Sequence, residues 1–223
     1  FAYSIQVLGR CWFGFSFQDQ KKQHQTHFKK INSYNSNTNI SIIAIKMINN
    51  NFVILERFGF KFKKGGAHLA RTMMLDELRI VLAHVKSLNP TKQDYLNAIE
   101  IENCLGKRSV KSRVLSARHL VDLYSLDPAL PLFRVMMFFW TRDPEGQPLL
   151  ALESAYSRDA ILRMSAPFIL NLPEGGPISR KEVEAIYEKN FPDRYSEAML
   201  KSLAQNVNGT WTNAGHLHGK AKK

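Results

Sequence analysis

Between Cys104 and Leu126 the sequence reads CLGKRSVKSRVLSARHLVDLYSL, placing Lys107, Arg108, Lys111, Arg113 and Arg118 ahead of its first acid, Asp122. Cations this dense suit the neutralisation of a polyanion, above all the phosphates of a nucleic acid. Lys107, Arg108 and Lys111 stand at the start of an expected helix, where positive charge opposes the helix dipole. The free backbone N–H groups of that same end favour phosphate. A local cost of this kind points to a use beyond folding. The competing account is a solvated face that serves only solubility.

A second candidate is the tail, NVNGTWTNAGHLHGKAKK, residues 206–223. It joins amides and hydroxyls to Thr212, His216, Lys220, Lys222 and Lys223, with Lys201 on the helix leading into it. Such groups contact phosphate, sugar or base edges. Trp211, between two threonines, is expected to anchor the last helix to the core.

Catalytic patterns are not found. There is no G-x-S-x-G elbow, no H-E-x-x-H pair and no Walker-type loop. KKGGAH (63–68) lacks phosphate-loop spacing and reads as a helix-opening glycine pair. His216 and His218, like Glu100 and Glu102, are two apart and would point away from each other on a helix. No enzyme, cofactor, metal or small-molecule substrate is expected.

The elements that must position these residues are helical. Ala70, Met74, Leu78, Val81, Leu82 and Val85 recur at three- and four-residue steps and predict a helix over 66–87. Thr91 and Asp94 form a variant capping box opening a helix to Leu105, with Gly106 as its terminator. Ser109 caps the next helix, whose apolar stripe is read as Val110, Val114, Leu115, Val121 and Tyr124. Helix–turn–helix follows as an expectation, although periodicity alone does not separate a DNA-reading pair from any αα-hairpin. Asp127-Pro128 predicts the start of an apolar helix through Trp140. Further helices are expected at 147–156 and 158–170. LPEGGP (172–177) is the clearest linker, followed by helices capped at Ser179 and Ser196.

The chain has 223 residues, 44 % of them hydrophobic, and a formal net charge of +12. Residues 1–64 carry ten Lys/Arg against two acids, whereas residues 65–223 carry twenty-one against seventeen, so the excess is +8 and then +4. Residues 1–46 are Asn-rich and aperiodic, and are expected to be a flexible basic arm or sequence upstream of a start at Met47. ISIIAI (40–45) and NNFVILERFGFKF (50–62) carry the residues of weak strands. The expected division is thus residues 1–46, a helical domain over 47–171 and a second helical segment over 172–223. Cys11 and Cys104 lie far apart in no metal or redox pattern, which suits a reduced cytoplasmic setting. The strongest apolar run, LPLFRVMMFFW (130–140), is interrupted by Arg134 and too short to span a bilayer.

Four stretches, GGAHLARTMML, ENCLGKRSVKSR, FFWTRDP and GTWTNAGHLHGKAKK, resemble in order and spacing the BrxA family of bacteriophage-exclusion (BREX) systems. The resemblance covers roughly residues 58–223 and implies an all-α cytoplasmic protein that binds double-stranded DNA in prokaryotic phage defence. It implies a NusB-like helical bundle with winged-helix-like parts, no cofactor, and other BREX proteins as further partners. Residues 1–46 fall outside it, and a further helical segment is expected after Lys223. Two alternatives to a DNA-binding component stand beside this: an RNA-binding adaptor of NusB-like character, and a scaffold that docks another defence protein through Phe138, Phe139 and Trp140.

Overall fold

The computed structural model describes residues 51–62 and 65–219, and among them every regular element is helical. Helical residues 51–58 lead to a 3-10 turn, Ala67–Leu69. Then come α1 (Leu75–His84), α2 (Lys92–Glu100), α3 (Val110–Tyr124) and α4 (Pro131–Trp140). The order continues with α5 (Gln147–Arg158), α6 (Ala160–Leu170), α7 (Arg180–Asn190) and α8 (Glu197–Asn213). The expected all-α bundle is thus the fold. The N-terminal arm, the strand at 40–45 and the start at Met47 lie outside the described residues.

The strand expected over 50–62 is instead helical at 51–58. Its end explains why: Phe60 N–H donates to Leu55 C=O at 3.1 Å and Gly59 N–H to Glu56 C=O at 3.0 Å, a Schellman pair. Gly59 carries the required positive φ of 109°, and a Cβ there would meet the Leu132 Cβ at 3.3 Å.

The helix expected over 66–87 breaks into the 3-10 turn and α1, with Met74 left-handed at φ 51° between them. Side chains from distant helices take the backbone groups a continuous helix would have used. Met73 N–H donates to Thr210 Oγ1 at 2.9 Å, and the Tyr124 hydroxyl donates to Met73 C=O. Tertiary partners outweigh periodicity here.

The caps read from sequence are present at Thr91/Asp94, Ser109, Ser179/Glu182 and Ser196. Two boundaries differ. α2 stops at Glu100 rather than Leu105, because Asn103 turns left-handed at φ 53° and its side-chain amide brackets Lys107. Its Oδ1 accepts from Lys107 N–H at 2.8 Å, and its Nδ2 donates to Lys107 C=O at 3.1 Å. α4 starts on Pro131 rather than Pro128, since Asp127 accepts Ala129 N–H at 2.9 Å and holds a turn first.

One hydrophobic cluster gathers Leu78, Ile99, Leu120, Phe133, Ala155 and Leu162 with Tyr187, Val207 and Trp211. α7 and α8 therefore pack their apolar faces into the same cluster as the helices before the LPEGGP linker.

Candidate nucleic-acid interface

α3 carries three of the candidate cations, Lys111, Arg113 and Arg118, and its rotation decides which of them face solvent. Its buried face is Ser116, Ala117, Leu120, Leu123 and Tyr124. At about 100° per residue the opposite face is centred on Lys111 and Arg118, which share a line seven residues apart. Val110 and Val114 flank that line on one side and Leu115 on the other. This corrects the apolar stripe read from sequence: Val110, Val114 and Leu115 are 63 %, 46 % and 37 % exposed. Only Tyr124 of that stripe is buried, with Val121 half-buried. The small residues Ser116 and Ala117 let α3 approach its neighbours, a signal that a search for large aliphatics passes over.

The five cations divide by environment. Lys107 is half-buried and pairs with Glu77 at 3.3 Å, so part of its charge is spent within the bundle. Arg113 folds back, its Nη1 in long contact with Ile101 C=O at 3.4 Å and its Nε buried without a partner. Arg108, Lys111 and Arg118 are exposed, and no ion pair engages them among the described residues. The neighbouring acids are already paired: Glu102 lies 2.6 Å from His84, and Asp122 lies 2.8 Å from Lys61. The surface around α3 is left net positive.

Sequence reasoning missed Arg71. Burial holds the His119 imidazole below its ordinary range, and the charges of Arg71 and Arg118 add to this while Asp122 opposes it. Arg71 therefore extends the cationic surface from α3 onto the segment before α1. The next residue, Thr72, lies against α8, where a Cβ on Gly209 would stand 3.3 Å from Thr72 Cγ2.

α3 is held at its C-terminal end by Arg158 of α5. Arg158 Nε donates to Asp122 C=O at 3.0 Å and Nη2 to Val121 C=O at 3.1 Å, while Nη1 donates to Gly59 C=O. Asp122 and Val121 belong to the last turn of α3, where Val121 C=O also accepts the Ser125 N–H at 2.9 Å, and a cation at that end suits the dipole. Burial pulls the Arg158 guanidinium down to about 10, which still leaves it charged.

On α8, Lys201 and Thr212 are both exposed and, eleven residues apart, point within about 20° of each other. His216 follows the helix with its ring edge-on to Trp211 at 5.2 Å, and burial on that side pushes its imidazole below the ordinary value. Lys220, Lys222 and Lys223 lie outside the described residues. Trp211 is buried, as expected, and its Nε1–H donates to Ser165 Oγ at 2.8 Å.

One further constellation resembles a catalytic relay in its distances. His68 Nδ1 lies 2.8 Å from Asp159 Oδ2, and His68 Nε2 lies 2.8 Å from Thr210 Oγ1. All three side chains are buried. Thr210 Oγ1 also accepts Met73 N–H, and Asp159 Oδ1 caps α6 by accepting from Ile161 and Leu162 at 2.8 and 3.1 Å. The arrangement ties the 3-10 turn to α6 and α8. It also accounts for Gly66, since a Cβ there would fall 1.8 Å from Asp159 Oδ1.

Among the described residues, no group of three His, Cys, Asp or Glu side chains is placed to hold a metal, and no helix is long and apolar enough to cross a membrane. No protein family, no curated protein and no solved structure matches the chain.

Proposed function

We propose that this protein is a non-enzymatic, double-stranded-DNA-binding component of a prokaryotic BREX phage-defence system, acting in the cytoplasm. The observation that carries the binding is the exposed, unpaired set of Arg108, just ahead of α3, with Lys111 and Arg118 on it, among acids that already have partners. The assignment to phage defence rests on the sequence resemblance to BrxA. The mechanism is phosphate neutralisation with release of counterions, α3 supplying the main contact and Lys201, Thr212 and the lysine-rich tail a second one.

The test is the slope of log affinity against log salt for a duplex, with wild type and R108Q/K111Q/R118Q compared on two unrelated sequences. A slope lower by about two to three units on both is expected. An unaltered slope would reduce these cations to a solvated face. Duplex RNA, whose grooves differ, serves as competitor against the RNA-adaptor reading.

The scaffold reading keeps one specific support. Trp140 is buried, but Phe138 beside it is 52 % exposed on α4, with the Arg142 guanidinium 3.8 Å over its ring. Loss of partner capture by Phe138→Ser with DNA affinity retained would favour that role.

A further inference from the structure

The exposed face of α3 holds more than charge. Val110 and Val114 form an i, i+4 pair of aliphatic side chains open to solvent, with Ile101, 74 % exposed, at the end of α2. Arg113 Nη1 reaches back to the Ile101 carbonyl in a long contact of 3.4 Å. A helix that only tracked phosphates would have no use for exposed valines, and each open methyl has an unfavourable hydration cost. The aliphatic edge at Val114 and the cationic line at Lys111 and Arg118 are about 40–60° apart around the helix. That offset suits a helix lying in a groove, with one edge toward the floor and long cationic side chains reaching one wall. The major groove of B-DNA admits an α-helix, and its one apolar group is the thymine 5-methyl.

We propose that α3 lies in the major groove of duplex DNA with Val110 and Val114 packed on thymine 5-methyl groups, while Arg108, Lys111 and Arg118 hold the adjacent phosphates. This rests on the DNA-binding reading above and adds a preference for thymine at the floor of the groove. It commits the aliphatic edge to nucleic acid rather than to an acidic protein segment. The reason is that the cations beside it are unpaired, while Glu77 and Asp122 pair with Lys107 and Lys61 and Glu102 lies within hydrogen-bond distance of His84.

The test compares two duplexes of identical sequence, rich in A·T pairs, one with thymine and one with every thymine replaced by deoxyuridine. The replacement removes the methyl and leaves every donor and acceptor of the groove in place. Affinities for the full chain are read by fluorescence anisotropy across a salt series. The thymine duplex is expected to bind about fourfold more tightly for each methyl seated against a valine. In V110S/V114S, whose positions are exposed, that ratio should fall toward one while the salt slope stays at its wild-type value. A wild-type ratio of one with a normal salt slope overturns the inference and leaves DNA binding standing. A ratio that survives in V110S/V114S also overturns it, because the preference would then belong to DNA shape. If poly-glutamate competes as well as duplex at equal charge, the face belongs to an acidic protein partner and the inference fails. Absence of salt-dependent duplex binding removes the DNA-binding reading together with it.

Discussion

His68 and Asp159, ninety-one residues apart, are joined twice: the His68 backbone N–H donates to Asp159 Oδ2 at 3.0 Å, and the imidazole Nδ1 lies 2.8 Å from the same oxygen. With Ile161 and Leu162 on Oδ1, the carboxylate meets four nitrogen partners in a fully buried place. Burial alone would raise its pKa, but the facing imidazole and the backbone donors outweigh that and hold it below the ordinary 3.8. A carboxyl whose folded value is depressed contributes stability above its unfolded value and loses it as pH falls through the folded one. The bundle is therefore expected to keep its stability down to about pH 4 and to lose it in more acid solution. In Asp159→Asn this acid-dependent part should be missing, which urea titrations at a series of pH values would read. A wild-type profile in the variant would place the acid-sensitive group elsewhere.

Little of this tie was visible beforehand. His68, Asp159 and Thr210 belong to three separate segments, and no spacing rule connects them. Gly66 was the available signal, but a glycine pair reads equally well as a helix opener until the carboxylate that excludes its Cβ is in place. Helix caps were legible because a cap is local: Thr91 with Asp94 and Ser179 with Glu182 need only three residues of spacing. The rotation of α3 was not, since it depends on Ser116 and Ala117 being small enough for neighbours to approach, and Val110 and Val114 look like core when apolarity alone is counted. The cations were found by type, yet Lys107 and Arg113 turn back into the bundle for reasons that lie in Glu77 and Ile101, outside the stretch itself.

Trp211 gives the most direct stability test. It is 1 % exposed, and its indole N–H reaches Ser165 Oγ, which itself donates to Leu162 C=O at 2.7 Å. Trp211→Ala should cost about 3–5 kcal/mol, by chemical denaturation. Ser165→Ala keeps the ring packed but takes away the hydroxyl that meets the indole N–H and Leu162 C=O and interacts with the Tyr187 hydroxyl, so a smaller loss of about 1–3 kcal/mol is expected. Equal losses from the two would mean that the hydrogen bond, rather than the packed ring, holds α8.

Lys107 and Arg108 are sequence neighbours with different fates. Lys107→Gln removes the pair with Glu77, at a place where both side chains are about one-third exposed, so its effect on stability should stay within about 1 kcal/mol. Because its charge is already partly neutralised, the salt slope of DNA binding should change less than it does in Arg108→Gln, where a drop of about one unit is expected. Salt titrations of the two single variants check this. A larger slope change from Lys107→Gln would mean that the ion pair opens when DNA binds.

His119 links binding to pH. In the free protein, burial together with Arg71 and Arg118 holds its imidazole below 6.5, with Asp122 opposing and itself paired to Lys61. A duplex seated against Arg71 and Arg118 brings phosphates that offset their field, so the bound state holds a proton on His119 more readily than the free state. A state that binds the proton more tightly gains as pH falls, and DNA affinity should therefore rise as pH is lowered from about 7.5 to 5.5. The measurement is the Kd at constant ionic strength across that range, for wild type and His119→Gln. Asn and Gln cannot take up the proton, so the variant should show a flatter profile with the affinity of wild type at the upper end. If Kd does not vary with pH in the wild type, the phosphates do not come near Arg71 and Arg118, and the contact must be confined to the N-terminal turns of α3. If the variation persists in His119→Gln, the proton belongs to another group, and His216 beside Trp211, also held below its ordinary value by burial, is the next to replace.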